Sequence, residues 1–220
     1  MATERYSTLK HCPLFEKIAE SHLETLLKCL GATQKNFGKN GVVFAADKKL
    51  DSVGIVLSGA VHTVREDFWG KRTIVGRIEC GGLFGEAFAC AGTEKFPFNV
   101  IAAEASDVLF VKCNRILTSC PSACGFHTTL IKNLTLILAE KNIALTQKLK
   151  HLTQPTTREK LLSYLSEQAQ TVHSKTFAIP FNREELADYL SVERSAMSAE
   201  LSRMRRDGLV RYQKNHFELR

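Results

Sequence analysis

Residues 182–209, NREELADYLSVERSAMSAELSRMRRDGL, hold the side chains whose types and spacing best fit a definite chemistry. Arg194, Ser195, Ser198 and Arg203 fall on one side of a helix predicted over 194–206, together with Ala199 and Ser202. Met197, Leu201 and Met204 fall on the other, at helical spacing. Small residues let a helix lie deep in a major groove, while Arg and Ser reach base edges and phosphates. Arg194 and Ser195 are the candidates for reading bases. Arg183, Arg203 and Lys214 are the candidates for phosphate contacts, which position a protein without reading sequence.

Several elements must hold that helix in place. Asn182 caps a first helix, and Glu185 three residues on completes an Asx-type capping box. Leu186, Ala187, Tyr189 and Leu190 give that helix its apolar face. Ser191-Val192 makes the corner between the two helices, and Asp207-Gly208 stops the second. Residues 209–212 and 216–219 then read as two short strands around a basic break at Gln213-Lys214-Asn215. The whole is a helix-turn-helix followed by a wing. An ordinary pair of antiparallel helices with a solvated charged face is the blander alternative; the length of the coherent pattern argues against it.

Composition agrees with a polyanionic partner. The 220 residues carry a formal net charge of +7, and 44% of them are apolar, enough for two cored domains. Between residues 193 and 214 six basic residues face three acidic ones, so the local balance has the global sign. No apolar run approaches the roughly 20 residues of a membrane helix, and the N-terminus MATERYSTLK has no signal-peptide core. These features point to a cytoplasmic protein without a membrane partner, whose seven cysteines are thiols rather than structural disulfides.

Upstream, residues 1–30 read as short helices. From Phe37 to about Lys112, β-prone runs at 42–44, 52–57, 60–64, 73–78, 100–103 and 108–111 alternate with Gly-rich turns, which indicates a sandwich or barrel. Asn114 reads as the cap of a helix that Pro121 interrupts. A continuous helical pattern then runs to about Leu152, with Ile131, Leu134, Leu138, Lys141, Leu145 and Leu149 in a 3–4 alternation. So long a stripe fits a coiled-coil-like dimer helix, weakened by Lys141. Gln154-Pro155 is a linker, and Thr156 with Glu159 forms a second capping box.

This order resembles the Crp/Fnr family of bacterial transcription regulators over essentially the whole chain. The matching stretches are GIVLSGAV at 54–61, GGLFGEAF at 81–88 and the segment quoted above. The resemblance implies an α+β protein in three parts. An effector domain over 1–120 is a double-stranded β-helix, a jelly roll of the cyclic-nucleotide-binding type. A central dimerisation helix and hinge spans 121–153, and a winged helix-turn-helix spans 154–220. It also implies a homodimer on a pseudo-palindromic operator of double-stranded DNA, with a small-molecule effector and RNA polymerase as further partners.

Two departures from the family pattern carry expectations. In cyclic-AMP-binding members a Gly-Glu pair holds the ribose and an Arg-Ser or Arg-Thr pair holds the phosphate. Gly85-Glu86 is kept here, but Phe96-Pro97 stands where the Arg pair would be, removing a charge-assisted contact. The central-helix positions that meet the purine fall near Ile143 and Ala144. An effector pocket of Gly85, Glu86, Phe96, Phe98, Ile143 and Ala144 should therefore reject cyclic AMP and suit a less polar or uncharged ligand, or none. In the recognition helix, Ala199 stands where many members have an Arg, so the operator should differ from the commonest one.

Other chemistries fit less well. Cys12 and Cys29 are too far apart for the family's N-terminal iron–sulfur cluster, and no histidine pair has metal-ligand spacing. His11 and His127 are the candidates for a haem-sensing alternative; Cys120 and Cys124, the one closely spaced cysteine pair, are the candidates for a thiol switch. Glu86 has no partner base or nucleophile in a motif, which argues against an enzyme. A ligand-binding module whose helix-turn-helix contacts only protein is the alternative of another class; it predicts no salt-dependent DNA binding.

Overall fold

The computed structural model describes residues 2–70, 72–118 and 126–220. The expected interruption at Pro121 and the pair Cys120 and Cys124 lie outside the described residues. The chain divides into two compact units, residues 1–139 and 140–220.

In the first unit, helices α1 (Ala2–His11) and α2 (Glu20–Cys29) precede eight strands. Strands β1 (Thr33–Phe37), β8 (Ser106–Lys112), β3 (Ser52–Ser58) and β6 (Leu83–Phe84) form one sheet in the order β1-β8-β3-β6. Strands β2 (Val42–Phe44), β7 (Asn99–Ala102), β4 (Ala60–Glu66) and β5 (Arg72–Glu79) form the other, in the order β2-β7-β4-β5. All pairings are antiparallel. This is the expected jelly roll. Strand β1 was not foreseen: TQKNF is a polar edge strand, exposed along almost its whole length.

Strand β3 shows why its apolar run is continuous rather than alternating. Val53, Ile55 and Leu57 join a core shared with Leu9, Leu23 and Leu26 of the N-terminal helices, while Val56 faces the opposite way into the core between the sheets. A strand covered on both faces buries every residue. At Gly54 a Cβ would stand 2.1 Å from the Phe84 ring, so only glycine fits this crossing of β3 and β6.

Short helices α3 (Glu86–Ala91) and α4 (Cys113–Leu117) follow β6 and β8. Helix α4 starts one residue before the expected cap: Lys112 holds the N-cap position and Asn114 is already helical. Helix α5 (Phe126–Leu152) is the long helix read from the sequence. Its first half sets Leu130, Leu134 and Ile137 into the core of the first unit, and Asn133 donates hydrogen bonds of 3.0 and 2.9 Å to the carbonyls of Leu14 and Glu16. Leu134, expected on a dimer stripe, is thus buried within its own unit. Leu145 and Leu149, farther along, are exposed.

The second unit contains α6 (Thr157–Thr171), β9 (Thr176–Ala178), α7 (Arg183–Tyr189), α8 (Arg194–Arg206) and the hairpin β10 (Val210–Gln213)–β11 (His216–Leu219). The three strands pair in the order β10-β11-β9. Leu161, Leu165, Leu186, Leu190, Met197, Leu201, Met204 and Phe217 make one core. Both expected capping boxes are present, at Thr156 with Glu159 and at Asn182 with Glu185. No helix among the described residues is long and apolar enough to cross a membrane.

Candidate nucleic-acid interface and the interior of the roll

Helix α8 is positioned from both ends. At its start the Glu193 carboxylate accepts the backbone N–H groups of Ser195 (2.9 Å) and Ala196 (2.8 Å), and the Ser195 hydroxyl as well. These contacts satisfy orphan donors of the first turn and hold the Glu193 carboxyl below its ordinary range. At its end Asp207 is the C-cap and Gly208 takes a left-handed φ of 76°. Between them Met197, Leu201 and Met204 are buried, leaving Arg194, Ser195, Ser198, Ala199 and Arg203 exposed.

An ion-pair network fixes the roll of α8 about its axis. Glu200, 9% exposed, accepts Nε of Arg158 at 2.7 Å and Nη1 of Arg203 at 3.0 Å, and Arg158 also pairs with Asp207. The Arg158 contact is the main cause of the lowered Glu200 pKa. Arg158 stands on α6, 42 residues before Glu200. Sequence reading missed it because a charge pair so widely separated has no local signature.

The candidate residues divide by what already engages them. Arg194 and Lys214 are exposed, Lys214 at the tip of the two-residue loop between β10 and β11 with a φ of 52°. The Ser195 hydroxyl is held by Glu193, and Ser198 donates to the Arg194 carbonyl at 2.9 Å. Asn182 spends its side-chain oxygen on the N–H groups of Glu184 and Glu185. Arg203 is engaged by Glu200 on one side of its guanidinium. Arg183 stacks on the Tyr212 and Phe217 rings at 4.7 and 5.0 Å, and burial lowers its pKa. Arg183 and Lys214 line one cleft of about 480 Å³, together with Asn182 and Asn215.

In the roll, Gly85 takes a left-handed φ of 76°, and a Cβ there would stand 2.3 Å from Leu50. Glu86 opens α3 and is 4% exposed. Phe96 is 2% exposed, part of the core between the sheets. Its ring meets Phe44, Phe88 and Phe98 edge-on at centroid distances of 5.6, 5.1 and 5.6 Å. Its backbone is tied to the 47–48 loop by bonds of 2.8 and 3.0 Å. Ile143 and Ala144 are exposed and belong to the second unit's part of α5. His127, 5% exposed, donates Nε2–H to the Arg115 carbonyl at 3.1 Å, and His11 meets the Ser7 carbonyl through Nδ1.

Comparison with known proteins agrees with this layout. The family described as "Cyclic nucleotide-binding domain" matches residues 34–119, and "Crp-like helix-turn-helix domain" matches residues 159–220. No curated protein matches the chain at a significant level. Among solved structures, the catabolite activator protein of Thermus thermophilus is 20% identical, with a TM-score of 0.56 over 94% of this chain and 93% of that one. The c-di-GMP-responsive global regulator CLP of Xanthomonas campestris is 14% identical, with a TM-score of 0.58 over 91% of this chain and 99% of that one. At such identities these likenesses speak for the fold alone. The two matched domains together cover more than half of the chain, in the order the fold requires, and place it in the Crp/Fnr family of transcription regulators.

Proposed function

We propose that the protein is a homodimeric, sequence-specific DNA-binding transcription regulator whose roll does not respond to cyclic AMP. One observation carries the DNA-binding part. Helix α8 buries Met197, Leu201 and Met204 and leaves Arg194, Ser195, Ser198 and Ala199 to solvent, beside a wing tipped by Lys214. Arg194 reads a base edge. Arg183 and Lys214, around their shared cleft, hold a phosphate. Leu145 and Leu149, 68% and 60% exposed on α5, supply an apolar stripe for the second copy.

The cyclic AMP part follows from Phe96. An apolar ring, 2% exposed and with three aromatic neighbours, offers no donor to a cyclic phosphate. Any ligand of this roll is uncharged where the phosphate would lie.

Selection of binding sites from random duplexes, followed by titration of the winner across salt, tests the reading. The expected result is a two-fold-symmetric site and a steep fall of affinity with salt. Salt-insensitive or absent binding would overturn it. Calorimetric titration with cyclic AMP should show no heat of binding at micromolar concentrations.

A further inference from the structure

Cys90 in α3 and Cys113 at the start of α4 are 23 residues apart in sequence, yet their sulfurs stand 3.1 Å apart. A disulfide needs about 2 Å, so a shift of about 1 Å would join them. The two thiols differ in access. Cys113 is 2% exposed, whereas Cys90 is half-buried. A cavity of about 450 Å³ is lined by Ala89 and Gly92, which lie close to Cys90 in sequence, and by Lys112, Asn114 and Arg115, which lie close to Cys113. Lys49 also lines it, so three cations face one carboxylate, Asp51, which Lys112 pairs at 2.6 Å. Electropositive, partly open surroundings are those of reactive cysteines.

We propose that Cys90 and Cys113 are a peroxide-oxidisable dithiol whose disulfide joins α3 to α4. The Cys90 thiolate attacks one peroxide oxygen; the O–O bond breaks, and the product is a Cys90 sulfenic acid and one water after protonation. The Cys113 thiolate, its proton passed to the departing oxygen, then attacks the Cys90 sulfur. The S–O bond breaks, the S–S bond forms and a second water leaves. Two thiols are oxidised and one peroxide is reduced to two waters. The Cys113 S–H donates to the Cys90 sulfur, which lowers the Cys90 pKa; burial and the Glu86 charge oppose this. Cys12 is no competitor, since burial pushes its thiol up to about 11.

The fold gives this bond something to move. Helix α4 carries Arg115, whose carbonyl accepts from His127 in the first turn of α5 and whose guanidinium reaches the Cys29 carbonyl at 3.1 Å. Drawing α4 toward α3 displaces that anchor. An effect on DNA affinity rests on the function proposed above; the chemistry does not.

The test uses the full reduced chain, treated with hydrogen peroxide and digested with trypsin without reduction. Peptide 113–115 should be linked to peptide 78–95, and the link should survive Cys80→Ser, which leaves Cys90 as the only partner in that peptide. It should also survive Cys120→Ser with Cys124→Ser, and vanish in Cys90→Ser and in Cys113→Ala. No link in the unmutated protein, or a link from Cys113 to peptide 116–132 instead, would overturn the assignment. Hydrogen exchange should slow at residues 113–118 on oxidation; unchanged exchange would refute the clamp between α3 and α4. Affinity for the selected operator should change by about fivefold or more, reversibly with dithiothreitol. Equal affinity in both states removes the regulatory role. Absence of DNA binding in both states would instead count against the proposed function, with the peptide map still deciding the disulfide.

Discussion

The roll and the winged helix treat their most telling residues in opposite ways. In the winged unit, Arg194, Ser195 and Ser198 project from a helix whose other side is fully buried, so chemistry and packing are separated by a half-turn. In the roll, Glu86 and Phe96 are themselves buried, and Phe96 is part of the packing. A surface residue can be exchanged with little effect on folding. A buried residue such as Phe96 cannot, because its atoms are part of the core between the sheets.

That contrast predicts its own largest test. Phe96→Ala should destabilise the roll by about 3–5 kcal/mol, as large-to-small changes at buried aromatics do, measured by denaturant unfolding with hydrogen exchange followed in β2 and β7. A loss under about 1 kcal/mol would mean that Phe96 lines an open ligand site rather than the core. Arg194→Ala should do the reverse. Stability should stay within about 0.5 kcal/mol, while discrimination at one base pair falls by about 1–3 kcal/mol, read by competition between operator variants. A uniform loss over all sequences would make Arg194 a phosphate contact.

Smaller effects sharpen the picture of the winged unit. His151 is 1% exposed, with Nδ1 2.8 Å from the Ser163 hydroxyl and its ring against Tyr164 and Tyr189. Burial is the main cause of its lowered pKa, partly opposed by Glu167. The unfolded chain therefore takes up this proton first as pH falls below the ordinary value of 6.5. Stability from the neutral ring is fully present above that pH and is lost below it. Melting of the full chain at stepped pH should show this decline, and His151→Phe should flatten it. The smallest expected change is Lys214→Ala, which should weaken all duplexes alike and reduce the salt slope by about one.

How much of this was legible in sequence depended on distance along the chain. The start of α7 and the extent of α8 were legible because Asn182, Glu185, Asp207 and Gly208 are local signals. Strand β1 was missed because a polar edge strand carries no alternation. Cys120 and Cys124, outside the described residues, stand out as a thiol pair through spacing alone; the closeness of Cys90 and Cys113 has no such local signal and comes from the fold. The stripe on α5 was visible, but not that Leu134 packs within its own unit while Leu145 and Leu149 stay exposed.

The amino-acid order by itself determined where the capped helices of the winged unit lie and which of their residues share a face, because caps, turns and periodicity act over a few residues. Tertiary structure decided what meets each face: Arg158 on Glu200, Phe96 among three rings, the sulfur of Cys90 on that of Cys113. Those contacts join residues 23 or more apart in all but the ring cluster. They exist only because two layers of elements close over a common core, a condition that no single stretch of chain encodes.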